Sequence, residues 1–236
     1  MDTPKPVFLL AGGRYTLRQT PDPLIQAVFT ESGAASPTVA YVGTANDDDK
    51  GFFTRVAGMF QETGARRVDH ALIAPARANM NKAKDILQAA DIVFISGGDV
   101  ELGMQVLEQK QMVDFLAHLY QQGKPFFGLS AGSIMLAREW VRWRDPDDDS
   151  TAKLFPCLGF APVICDTHGE QEGWEELQAA LMLKQENDRG YGIVSGTAIK
   201  VFPDGRVESL GGAVNQYIRH EAKVERAPDI LPADTF

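Results

Sequence analysis

The strongest constraint on what this chain can fold into is a repeated pattern. A short, wholly apolar run stops at small or polar turn residues, and a stretch with helical spacing follows. Val7–Leu10 runs into Ala11-Gly12-Gly13, and Thr38–Val42 into Gly43-Thr44. Residues 91–95 stop at Ser96-Gly97-Gly98-Asp99, residues 124–128 lead through Leu129 to Ser130, and residues 161–165 reach Asp166-Thr167-His168. Residues 67–73 read as a shorter strand. Between these runs, apolar residues recur at helical intervals: Leu24, Ile25, Val28 and Phe29; Phe52, Phe53, Val56, Met59 and Phe60; Ile86 and Leu87; Leu102 to Tyr120; and Trp174, Leu177, Leu181 and Met182. Strands that are apolar throughout and alternate with helices predict a parallel sheet covered on both faces. Residues 198–202 and 206–210 flank Pro203-Asp204-Gly205, a turn signal that predicts a hairpin on one sheet edge. The expected fold is α/β, a three-layer, mostly parallel wound sheet with a C-terminal antiparallel hairpin. One domain is expected over residues 1–220, with a charged, loosely packed tail over 221–236.

Composition removes several function classes. Of 236 residues, 44% are hydrophobic and 23% charged, which suits a globular chain and not a disordered one. The 23 Lys and Arg against 32 Asp and Glu give a net charge of −9. Such a chain repels phosphate backbones, so no nucleic-acid partner is expected. No apolar run approaches the roughly 18 residues of a membrane span, and the first residues do not read as a signal peptide. Cys157 and Cys165 cannot build a disulfide framework and fit a reducing cytoplasm.

In open parallel sheets, ligands bind beyond the carboxyl ends of the strands. There the chain reads Gly128-Leu129-Ser130-Ala131-Gly132, the G-x-S-x-G pattern of a nucleophile elbow. The glycines would let the backbone pass closely around a strained serine, although a tight strand-to-helix turn could use the same residues for packing alone. A serine nucleophile needs a general base. Of the four histidines, His168 follows an apolar strand, whereas His70, His118 and His220 read as surface or core residues. The third triad member stays open among Asp145, Asp166, Glu170 or none. An oxyanion hole could form from the Ala131 N–H and the Gly97-Gly98 turn, with Gly98 as donor. Arg14, Asp99 and Glu170 are candidate substrate-binding residues. Gly12-Gly13 lacks the full dinucleotide fingerprint, and the Cys165/His168 pair has no second pair beside it, so no cofactor and no metal are expected.

Together, Ile95-Ser96-Gly97-Gly98-Asp99, Gly128-Leu129-Ser130-Ala131-Gly132 and His168-Gly169-Glu170 resemble the serine peptidase family of dipeptidase E (aspartyl dipeptidase) and cyanophycinase. The resemblance implies a class I glutamine amidotransferase-like, flavodoxin-like α/β fold with Ser130 at the amidotransferase cysteine position. It implies Ser130 as nucleophile, His168 as base, Gly98 and Ala131 as the oxyanion hole, and Asp145 as the charge-relay acid. An alternative acid in that family lies late in the chain before a glycine, where this sequence reads Ser195-Gly196. The expected activity is a cytoplasmic serine-type exopeptidase acting on small peptides, and a homodimer is compatible with the chain. Its rivals are an esterase or amidase using the same Ser–His pair, and a non-catalytic small-molecule-binding relative.

Overall fold

A computed structural model describes residues 3–12, 21–145 and 148–233. The chain opens with β1 (Val7–Leu10), α1 (Pro23–Ser32), β2 (Thr38–Val42), α2 (Lys50–Glu62), β3 (Arg67–His70), α3 (Met80–Ala89) and β4 (Ile92–Ile95). Then come α4 (Val100–Gln109), α5 (Val113–Gln121), β5 (Phe126–Leu129), the short α6 (Ala131–Leu136), β6 (Glu139–Trp143), β7 (Ala152–Pro156) and β8 (Ile164–Thr167). Last are α7 (Glu175–Met182), β9 (Arg189–Ile193), β10 (Ala198–Val201), β11 (Val207–Leu210), β12 (Val214–His220) and β13 (Lys223–Ile230).

Among the described residues, the main sheet has the order β11-β10-β1-β5-β4-β2-β3. The pairs from β1 to β3 are all parallel. The hairpin β10–β11 closes the other side, antiparallel to β1. Alternation along the strands sends successive side chains to opposite faces. Phe8, Tyr41, Phe94 and Phe127 pack with α1 and α2 through Ile25, Phe29 and Phe60. Leu9, Val42, Val93 and Phe126 pack on the other face with α3, α4 and α5 through Leu87, Leu107 and Leu116. The apolar runs are buried on both faces because helices cover both, and that is why they lack polar alternation. No helix among the described residues is long and apolar enough to cross a membrane.

The C-terminal half departs from the expected arrangement in three ways. The strand expected over 161–165 forms over Ile164–Thr167 and belongs to a second sheet, order β13-β12-β9-β8, instead of joining the main one. The charged residues 223–230 are not loose: they form β13, antiparallel to β12. Residues 139–156 contribute a two-stranded ribbon, β6–β7, that apolar patterning did not signal. A separate core of Ile164, Trp174, Leu177, Leu181 and Tyr217 joins α7 to the second sheet.

The short helix α6 joins the two halves. Cys165 Sγ in β8 lies 3.9 Å from Ser133 O in α6, and Arg138 N–H donates to Val163 O at 2.9 Å. Against the main sheet, α6 leaves no room for a side chain at Gly132, where a Cβ would fall 2.1 Å from Ile95 O at the end of β4. Gly58 is the opposite case: it lies within α2, and a Cβ there meets nothing within 4 Å. Gly132→Ala is therefore expected to cost about 3 kcal/mol or more through backbone displacement. Gly58→Ala should gain about 0.5–1 kcal/mol from helix propensity. Urea unfolding of the two variants checks both signs.

Candidate active site

Ser130 directly follows β5, with its backbone at φ 54° and ψ −125°. Residues bearing a Cβ rarely adopt that region, and holding one there costs on the order of 1–3 kcal/mol. The turn closes because Gly128 and Gly132, two residues to either side, have no side chains. A Cβ on Gly128 would lie 2.5 Å from the Gly132 carbonyl. The Ser130 N–H donates to Leu10 O at 2.8 Å, and the Ser133 hydroxyl donates to the same carbonyl at 2.8 Å. The end of β1 thus pins the turn from below. Ser130 itself is half-buried, facing the carboxyl ends of the parallel strands.

Gly97-Gly98, after β4, forms the adjoining wall. A Cβ placed on Gly97 would be 3.2 Å from Ser130 Cβ and 3.8 Å from its Oγ. Gly98 has φ 146°, and a Cβ there would stand 2.0 Å from Ala45 O, so only glycine fits. Asn46 fixes the peptide between the two glycines: its Nδ2 donates to Gly97 O at 2.9 Å and to Ser96 Oγ at 2.9 Å. The buried Tyr41 hydroxyl, which donates to Ser96 Oγ at 2.9 Å, completes the support. In a trans peptide the C=O and the following N–H point in opposite directions. With the Gly97 carbonyl turned to Asn46, the Gly98 N–H is directed away from Asn46. The Ala131 N–H, at the first position of α6, precedes the intrahelical hydrogen-bond ladder.

The base candidate comes from the second sheet. His168 follows β8, is exposed, and has φ 67°. Its loop is held by Trp174, which is only 2% exposed. The Trp174 N–H donates to Gly169 O at 2.8 Å, and its indole N–H donates to Asn215 Oδ1 at 2.9 Å. The ring occupies the space beside Gly169 and Gly192, where a Cβ would come within 2.7 and 2.6 Å of it. β8 and β9 run parallel with Thr167 opposite Ile193, so His168 and Ser195 leave the sheet at the same end. His168 Nδ1 lies 3.1 Å from Ser195 Oγ. Glu170 in turn accepts the Ser195 backbone N–H, and the nearby Ser195 hydroxyl helps to lower its pKa. The Gly196 N–H donates to Gly12 O at 2.7 Å, tying this group to the segment whose Leu10 carbonyl holds Ser130. No hydrogen bond joins Ser130 to His168 among the described residues.

A model of peptidase family S51 matches residues 7–208. The chain belongs to peptidase family S51. It is a serine peptidase by that membership. The fold is similar to that of a peptidase from an acI-B1 Actinobacterium, with TM-score 0.72, 15% identity and 97% of each chain covered. It is also similar to a putative peptidase E protein from Listeria monocytogenes EGD-e, with TM-score 0.60, 16% identity, and 89% of this chain and 99% of that one covered. No curated protein sequence matches the chain.

In this S51 peptidase the structure distributes the sequence candidates unevenly. Ser130, Ala131 and Gly98 come together at the main sheet, and His168 and Glu170 stand together on the second sheet. The resemblance makes Asp145 the charge-relay acid. It lies exposed at the tip of the β6–β7 ribbon, in a turn where its N–H and C=O both bond Thr151 Oγ1, while the partner of His168 Nδ1 is Ser195. Asp99 caps α4, accepting the Leu102 N–H at 2.7 Å. Arg14 lies outside the described residues. Two supporting residues were given no role from the sequence. Asn46 had the signal of sitting just after β2, and Ser195 that of occupying the family's late acid position.

Asp166 is buried, and its Oδ1 accepts the Thr167 N–H at 2.7 Å. Among the described residues, no group of three or more His, Cys, Asp or Glu is placed to hold a metal. The Cys165 thiol is instead buried and pushed well above its usual range, first by desolvation and then by Asp166. Burial, with the charges of Glu176, Glu170 and Glu172, also pushes the Asp166 carboxyl up to about 7. Between the ordinary carboxylate range and that value, the folded state keeps a proton that the unfolded state releases. Stability at this site therefore falls as pH rises through the window and returns on acidification. Asp166→Asn keeps the acceptor for Thr167 and cannot ionise. It should stabilise the protein by up to about 4 kcal/mol at pH ~8, with the gain vanishing below pH ~4, as urea unfolding at the two pH values would show.

Proposed function

We propose that this S51 peptidase hydrolyses small peptides through an acyl-enzyme on Ser130, with His168 as the general base. The observation that carries the reading is the strained Ser130 turn set against Gly97-Gly98 at the carboxyl end of the sheet. His168 Nε2 takes the Ser130 hydroxyl proton as Oγ bonds to the scissile carbonyl carbon. The oxyanion that forms accepts from the Gly98 and Ala131 N–H groups, as in other acyl transfers. When the C–N bond breaks, His168 gives its proton to the leaving amine. Water then enters by the reverse proton route, releasing the acid and restoring Ser130. The architecture is that of a class I glutamine amidotransferase-like domain in which serine replaces the cysteine nucleophile, and the setting is cytoplasmic.

Electrostatics around the base bears on the substrate. Asp166, Glu170, Glu172 and Glu176 gather on the His168 side, where the three glutamates add to burial in raising Asp166. That side favours the free ammonium of a peptide's first residue and disfavours an acidic side chain. In a dipeptide library, wild type should release free amino acids and prefer neutral over acidic first residues. Ser130→Ala should lose about 10⁴-fold or more in turnover. Equal turnover by both proteins would remove Ser130 from the reaction, and turnover confined to acyl esters would reassign the substrate class.

A further inference from the structure

Resting on the Ser130–His168 reading, a further role falls to two residues behind the base. A serine hydroxyl carries one proton and two lone pairs, whereas an ionised carboxylate only accepts. Glu170 is held ionised. Partial burial works to raise its pKa, but hydrogen bonds from the Ser195 N–H, from its own N–H and from the Ser195 hydroxyl, with the charge of His168, bring it below the usual range. The carboxylate that accepts the Ser195 N–H also lies beside the Ser195 hydroxyl, and there the hydroxyl has an acceptor for its single proton. Its oxygen, 3.1 Å from His168 Nδ1, is then left only to accept.

We infer that Ser195 and Glu170 form a relay that orients the base, with Glu170 fixing the direction of the Ser195 hydroxyl and Ser195 thereby fixing the proton of His168 on Nδ1. The consequence is chemical. With Nδ1 protonated, Nε2 keeps the lone pair that removes the Ser130 proton; with the hydroxyl reversed, Nε2 would carry the proton and could not act as base. The relay substitutes for the acid that would otherwise contact the imidazole directly. It also stabilises the imidazolium, more weakly than a carboxylate in contact would. Its geometry is built in by the parallel register of β8 and β9 and by the Gly196–Gly12 bond, so Ser195 and Glu170 are positioning residues that act through His168.

Side-chain ¹⁵N spectra at a pH above the imidazole titration, with His168 assigned through His168→Gln, read the tautomer without any need for activity. Wild type should show His168 with its proton on Nδ1. In Glu170→Gln the carboxamide can donate to Ser195 Oγ, releasing the hydroxyl proton toward Nδ1. The tautomer should shift to Nε2–H, and fluorophosphonate labelling should slow by about 10²-fold. Ser195→Asp places a carboxylate on Nδ1 and should keep the Nδ1–H form and rapid labelling, a rescue that loss of packing would not give. An Nε2–H wild type, or a Glu170→Gln protein with unchanged tautomer and labelling rate, would overturn the relay. A tautomer that switches as described in a protein whose Ser130 never labels would uphold the relay and sink the hydrolase reading instead.

Discussion

The backbone of Ser130 is the constraint around which the rest of the site is arranged. A residue with a Cβ held at φ 54° and ψ −125° must be forced there. The forcing comes from β1, whose Leu10 carbonyl accepts from both Ser130 and Ser133, and from α6, which begins at once. It also requires bare backbone at Gly128 and Gly132 and a close glycine pair at 97–98. Each of these glycines is specified by a near contact and not by a need for flexibility. The main sheet therefore supplies a nucleophile position and a candidate oxyanion wall as one rigid unit.

The candidate base belongs to a different structural unit. The second sheet carries His168, and the two units meet through α6 and through the Gly12–Gly196 bond. Relative placement of nucleophile and base thus depends on a few backbone bonds at that junction. On the His168 side, Trp174 does what the glycines do on the other: it fills the space beside Gly169 and Gly192 and fixes the loop. At the imidazole itself, Ser195 Oγ lies 3.1 Å from Nδ1, and Glu170 accepts the Ser195 N–H.

Legibility in the sequence followed burial. The strands of the main sheet are buried on both faces, so their apolar runs stood out and their carboxyl ends could be searched for chemistry. That search singled out Ser130, Gly98, Ala131 and His168 as candidates. The second sheet was harder to read because β9 is Arg-Gly-Tyr-Gly-Ile, where Gly192 makes room for Trp174, Gly190 makes room for Leu177 and Leu181, and the periodicity is erased. β13 is amphipathic and charged at an edge, and it reads as a tail. Without β9, the pairing that brings Ser195 to His168 has no trace in the pattern. The acidic run at 145–149 drew attention to Asp145 because of its place in chain order, whereas its turn is closed by Thr151 at the ribbon tip.

The central claim is that the strained residue at 130 is the nucleophile. Treatment of the folded protein with a fluorophosphonate, followed by intact-mass measurement and peptide mapping, tests it most directly. The account predicts one phosphonyl adduct per chain, located on Ser130, and none in Ser130→Ala. A folded wild-type protein that remains unmodified, or an adduct that maps to another residue and persists in Ser130→Ala, would contradict it.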